Sequence, residues 1–237
     1  MYKDKIVLVT GSSRGVGKGI AEHFLQNRAR VIGFSKGTGS IENPLYHHMR
    51  VDLSEPDEIV KGFHSIAREF KHLDILVNNA AVLTSQYSMI MPIKNAQEMV
   101  NINLLGVFIA SREAAKLMRN KKFGRIINIG SMASSLEPMG DSIYAACKAA
   151  IITIANVMAK ELSSMNITCN TLAITAFETD MLMQHSSIAH VKIQEIINNL
   201  PIPRIAVIDD INNVIDFFSS ERSSYITAQT IYLGGIN

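Results

Sequence analysis

Short β-branched runs alternate along the chain with longer stretches whose apolar residues recur every three to four positions, the order expected of an α/β fold. The short runs predict strands at Lys5–Thr10, Arg30–Phe34, His47–Val51, Asp74–Asn78, Arg125–Gly130, Thr168–Ala173 and Thr230–Leu233. The longer stretches predict helices at Gly15–Gln26, Glu55–Phe70, Ile93–Met118, Ser142–Leu162, Val191–Leu200 and Asp209–Ser219. Crossover helices between parallel strands cover both faces of a sheet. The expectation is therefore a single-domain, doubly wound (Rossmann) parallel sheet of about seven strands over residues 1–237. One crossover breaks the rhythm: Lys36–His47 is short and carries Gly37, Gly39 and Pro44, which predicts a loop.

Two of the predicted helices are apolar on nearly every side, Ala145–Ala159 and the stretch from Met99 to Met118. A helix that is apolar all round is buried all round, and one sheet face cannot bury both, so a homodimer or homotetramer is expected. The chain is 47% hydrophobic and 19% charged, which excludes disorder and fits a large core. The longest uncharged apolar stretch, Ala149–Ala159, is far short of the ~20 residues that cross a bilayer. The chain passes from Met1 straight into a strand, without a cleavable leader, so a cytoplasmic protein is expected. Cys147 and Cys169 sit in regular elements without partner spacing and read as reduced core thiols. His47, His48, His185 and His190 lack metal-site spacing, and no metal is assigned. A net charge of +2 with both signs interspersed gives no footing for nucleic acid, which leaves small molecules as the expected partners.

The first strand runs into Thr10-Gly11-Ser12-Ser13-Arg14-Gly15-Val16-Gly17 and then into a helix. Glycines there allow a tight turn and let a diphosphate approach backbone N–H groups at a helix N-terminus. NAD-specific sites usually carry an acid at the end of the second strand, where this chain reads Phe34-Ser35-Lys36. Arg14 and Lys36 together suit a 2′-phosphate, so NADP(H) is expected over NAD(H). Tyr144 and Lys148 stand four apart on one helical face, with Ser131 at a strand end and Asn103 in the preceding apolar helix. Asn78-Asn79-Ala80-Ala81 follows the fourth strand. A phenol with an ordinary pKa near 10 needs a neighbouring positive charge to exchange protons at neutral pH, and Lys148 supplies one. Tyr144 would then pass a proton to a carbonyl oxygen that Ser131 holds by a hydrogen bond.

Taken together, these motifs resemble the short-chain dehydrogenase/reductase family over essentially the whole chain, with an appearance most like its 3-oxoacyl-carrier-protein reductases. The resemblance implies catalytic residues Asn103, Ser131, Tyr144 and Lys148, with Asn103 holding a water of a proton relay and Lys148 also binding nicotinamide ribose. It extends the cofactor contacts to Asp52 and Leu53, Asn79 and Ala80, and Phe177 and Thr179. The pattern departs from the family after the sixth strand, where Ile174-Thr175 replaces the usual Pro-Gly, and at Met165, where carrier-protein reductases often carry Arg.

Residues 84–92 and a lid at 175–204 are expected to enclose the substrate, with Met89, Met91, Met139, Met181 and Met183 as adaptable lining or as ordinary packing. The basic run Lys116, Arg119, Lys121, Lys122 and Arg125 has two readings, a dock for an acidic carrier protein or complementation of a helix dipole, the second ranking first. The expected activity is NADPH-dependent reduction of a ketone, a 3-oxoacyl thioester or similar β-keto compound. The alternatives are a dehydrogenase of a polyol, sugar or other small secondary alcohol and, in another class, a nucleotide-binding sensor or scaffold without turnover.

Overall fold

The computed structural model describes residues 2–174 and 200–235. Its strands are β1 (Ile6–Thr10), β2 (Arg30–Ser35), β3 (Tyr46–Arg50), β4 (Ile75–Asn78), β5 (Gly124–Ser131), β6 (Ile167–Ile174) and β7 (Thr230–Tyr232). They form one parallel sheet in the order β3-β2-β1-β4-β5-β6-β7. The order reverses between β1 and β4, and open α/β sheets bind ligands at the carboxyl ends of strands at such a switch point.

Among the described residues the helices are α1 (Gly15–Gln26), α2 (Pro56–Phe70), α3 (Ile93–Val100), α4 (Val107–Met118), a short α5 (Ala133–Leu136), α6 (Ser142–Leu162) and α7 (Ile208–Ser219). The period of two along β1 divides the core. Ile6 and Leu8 face Phe63 and Ile66 of α2 and Ala114 and Met118 of α4, while Val7 and Val9 face Ile20 and Phe24 of α1 and Ile211, Ile215 and Phe218 of α7. Each fully buried side chain of this size contributes about 1.5–3 kcal/mol, so both helical layers are locked to the sheet that positions the site.

All seven expected strands are present, with ends displaced by at most a residue or so, and Lys36–Leu45 is a loop. The expected helix Ile93–Met118 is instead broken into α3 and α4 by a π-helical stretch, Asn101–Gly106. Gly106 lets this stretch sit close to the turn between β3 and α2, because a Cβ there would come within 2.8 Å of the Leu53 carbonyl oxygen. The expected helix Val191–Leu200 and most of the expected lid lie outside the described residues. Helix α6 is long and apolar enough to cross a membrane by composition, yet it packs against β5 and β6 and carries Lys148 in its interior.

Candidate active site

The carboxyl edge of the sheet carries two groups of polar residues. In the first, Gly11 turns the chain after β1 at a φ of +68°, and its N–H donates to the Phe34 carbonyl at 2.7 Å. A Cβ on Gly11 would lie 2.9 Å from Ala80 Cα, and one on Gly17 would collide with Asn79 Nδ2 and the Gly11 carbonyl. The turn after β4 is stitched to this loop. Thr10 Oγ1 accepts from the backbone N–H groups of Asn79 and Ala80 at 3.0 and 3.1 Å, and Asn79 Nδ2 donates to the Thr10 carbonyl at 3.0 Å. Thr10 is thus the hub that ties the phosphate loop to the turn after β4.

Helix α1 opens in an unusual way. Its N-cap residue is Arg14, no side chain caps it, and its first turn has no acid. Val16 and Gly17 are buried there while Arg14 is exposed, so the unpaired N–H groups and a guanidinium present positive charge at the same place. Lys36, just past β2, extends that charge and pairs with Asp52 at 2.8 Å. Burial would raise the Asp52 carboxyl, but the hydrogen bonds from Lys36 and from the Ser54 N–H and hydroxyl outweigh it and hold the group below its ordinary value. The residues expected separately at the 2′-phosphate (Lys36) and at the adenine (Asp52, with Leu53 beside it) are therefore bonded to one another. These features fit a nicotinamide dinucleotide: the loop has the hollow that side chains on Gly11 and Gly17 would fill, and the helix lacks an anion of its own. Phe177 and Thr179 lie outside the described residues.

The second group lies on β5, α6 and the π-helical stretch. Ser131 closes β5, and its Oγ accepts from the Ala133 N–H at 3.1 Å. Tyr144 is on the first turns of α6. Its phenol is pushed up by burial and further by the Asp141 carboxylate, while a hydrogen bond with Ser131 pulls it down. Lys148, one turn on, is buried with Nζ donating to the Ile129 carbonyl at 2.8 Å and lying 5.7 Å from the Tyr144 ring centroid. Burial lowers its ammonium to about 8, with the neighbouring Cys147 thiol working the other way. The structure brings Ser131, Tyr144 and Lys148 together beside the first turns of α6.

Asn103 is fully buried on the π-helical stretch, and its side chain bonds one residue at both ends. Oδ1 accepts from the Val82 N–H at 2.9 Å and Nδ2 donates to the Val82 carbonyl at 2.8 Å. It fixes the segment leaving β4. Both cysteines are free and buried.

Beside α6 an open cleft of about 510 Å³ is bounded by Tyr87, Ser88, Pro138, Met139, Ala145, Ala146 and Ala149. The segment over it is anchored to the start of α6: Ser85 Oγ donates to Asp141 Oδ1 at 2.6 Å and the Gln86 N–H donates to the Gly140 carbonyl at 2.8 Å. The basic run, by contrast, sits at the opposite end of the sheet, from the end of α4 into the start of β5. There Lys116 pairs with Glu113 at 2.6 Å, Lys121 with Asp74 at 3.6 Å, and Arg125 stacks over Phe123. That placement favours the helix-dipole reading over a carrier dock serving Ser131.

The fold and this arrangement define an NAD(P)-dependent oxidoreductase. The short chain dehydrogenase family matches residues 5–189. The 3-oxoacyl-(acyl-carrier-protein) reductase FabG of Escherichia coli is 33% identical over 240 aligned residues, covering 99% of this chain and 97% of that protein. The enzyme of the same name from Haemophilus influenzae is 32% identical, covering 98% and 97%. Among solved structures, the ligand-free aldohexose dehydrogenase of Thermoplasma acidophilum superposes with a TM-score of 0.90 at 26% identity, over 98% of this chain and 94% of that one. The chain belongs to the short-chain dehydrogenase family.

Proposed function

We propose that this enzyme reduces the ketone of a 3-oxoacyl thioester or similar β-keto compound with NADPH, using Ser131, Tyr144 and Lys148. The observation that carries the reading is the meeting of these three side chains at the carboxyl edge of the sheet, on which the phosphate loop also opens. When bound, the reduced nicotinamide supplies the hydride. Ser131 holds the carbonyl oxygen by a hydrogen bond, and Tyr144 gives that oxygen its proton as negative charge develops there. Lys148 in its ammonium form makes the resulting phenolate tenable inside a buried site. Asn103 keeps the Val82 backbone and the π-helical stretch in place and so shapes the floor of the site.

For the cofactor, Gly11, Ser13, Arg14, Gly15, Val16 and Gly17 form the diphosphate cradle, with Asn79 and Ala80 behind it. Arg14 and Lys36 favour a 2′-phosphate, and Asp52 and Leu53 border the adenine. Phe177 and Thr179 complete the set by resemblance. The relatives that share a third of the sequence are named as carrier-protein reductases, which supports the β-keto substrate. A second reading, oxidation of a sugar or related secondary alcohol, draws on the aldohexose dehydrogenase likeness. We further propose one domain with a substrate lid at 175–204, a cytoplasmic location, and a homo-oligomer built on the exposed apolar side chains of α4 and α6, among them Phe108 and Val157. Assaying NADPH consumption with a β-keto thioester and sugar oxidation with NADP⁺ separates the two substrate readings. Turnover of the thioester alone supports the first, and turnover of the sugar alone overturns it.

A further inference from the structure

Because Gly37–Leu45 carries no helix, the edge strand β3 can reach the phosphate loop across β2. The Tyr46 hydroxyl lies 2.9 Å from Ser12 Oγ, and Ser12 is fully buried inside the turn that follows β1. The bond passes over Gly33, where a Cβ would collide with both the Tyr46 hydroxyl and Ser12 Oγ, so the glycine keeps the path open. From the loop itself, Ser40 Oγ donates to the Ser13 carbonyl at 2.6 Å. Ile41 packs on the same core layer as Val16 and Ile20, which anchors the loop to the start of α1. Ser12 and Ser13 are thus fastened from the β3 side by residues far from them in sequence.

We propose that Tyr46 is a positioning residue for cofactor binding, holding Ser12 so that the N–H groups of the turn are preset for a diphosphate. The proposal rests on the reading of Thr10–Gly17 as the dinucleotide cradle. A turn fixed before binding spares the entropy of ordering it when the ligand arrives. The bond acts on a part of the site common to both nicotinamide dinucleotides, so its loss should not discriminate between them.

The test is Tyr46→Phe, Ser12→Ala and the double variant, each titrated with NADPH and with NADH by the cofactor's own fluorescence, alongside kcat at saturating cofactor and thermal melting. Loss of one buried hydrogen bond predicts binding about three- to ten-fold weaker for both cofactors and a melting temperature lower by about 2–4 °C, with kcat at saturating cofactor held in Tyr46→Phe. The double variant should be no worse than either single one, since all three lack the same bond. Wild-type affinity in Tyr46→Phe, losses that multiply in the double variant, or a loss confined to NADPH would each overturn the proposal. Should the melting temperature of Tyr46→Phe fall much further, Ser12→Ala, which breaks the bond from the small side chain, decides by the same affinity criterion. A wild-type protein that binds neither dinucleotide would instead refute the cradle reading itself.

Discussion

The β1–β3 and β4–β6 halves of the sheet's carboxyl edge offer polar groups of different kinds. Around β1 the site is largely backbone: two glycines no larger residue could replace, and a helix that starts on a cation without an acid in its first turn. Helix α2, on the same side of the switch point, begins with Pro56 followed by Asp57 and Glu58, and so supplies its own negative charge. Around β5 and α6 the site is made of side chains whose protons are displaced from ordinary behaviour by burial, with the Lys148 ammonium brought to about 8 and the Tyr144 phenol pushed up. The contrast teaches that damage on the first side should appear as lost affinity, and damage on the second as lost rate.

The largest expected effect tests the second side. Tyr144→Phe removes the proton donor and leaves the cradle intact, so kcat should drop by about 10²–10⁴ while the NADPH dissociation constant stays within about twofold of wild type. A parallel loss of affinity would show that the two halves are not separable. Gly17→Ala reverses the pattern. The added methyl must displace both Asn79 and the Gly11 carbonyl, so cofactor binding should weaken by about ten- to a hundred-fold, with circular dichroism confirming that the sheet has formed.

The pH profile sharpens the same contrast. Lys148 is an ammonium below about pH 8 and neutral above it, and the neutral amine cannot support a phenolate. The rate of ketone reduction at saturating cofactor should therefore hold below pH 8 and decline as pH rises through that value. In Lys148→Arg, whose guanidinium keeps its charge, any remaining activity should lack this decline. The smallest effect is expected at the adenosine end. Arg14→Ala with Lys36→Ala should raise the Michaelis constant for NADPH several-fold more than that for NADH, because only NADPH carries the 2′-phosphate. Lys36→Ala should also let the Asp52 carboxyl rise, since Lys36 no longer donates to it, and this is measurable by NMR titration.

Much of this arrangement is legible in the sequence, and the exceptions share a cause. The strands of a doubly wound sheet are buried on both faces, so continuous apolar runs such as Ile6-Val7-Leu8-Val9 mark them, and Gly37, Gly39 and Pro44 mark the missing helix. Tyr144, Lys148 and Ser131 are legible because one helical turn and one strand end fix their relation. The π-helical stretch is not, since a shift from i+4 to i+5 bonding leaves the apolar pattern from Ile93 to Met118 nearly unchanged. The Lys36–Asp52 pair and the Tyr46–Ser12 bond are contacts between segments distant in sequence, and nothing local encodes either. The basic run at Lys116–Arg125 shows the converse: its charges are plain in the sequence, but only the topology shows that they crowd the end of the sheet away from Ser131.

In the proposed mechanism hydride reaches the ketone only while the Tyr144 phenol supplies the proton to its oxygen. Following nicotinamide absorbance with NADPH and a β-keto thioester, for wild type and Tyr144→Phe side by side, measures this. Steady cofactor oxidation by the wild type and its near-absence in the variant, with NADPH still bound to both, is the predicted result. Equal rates in the two proteins would place the chemistry elsewhere and contradict the account.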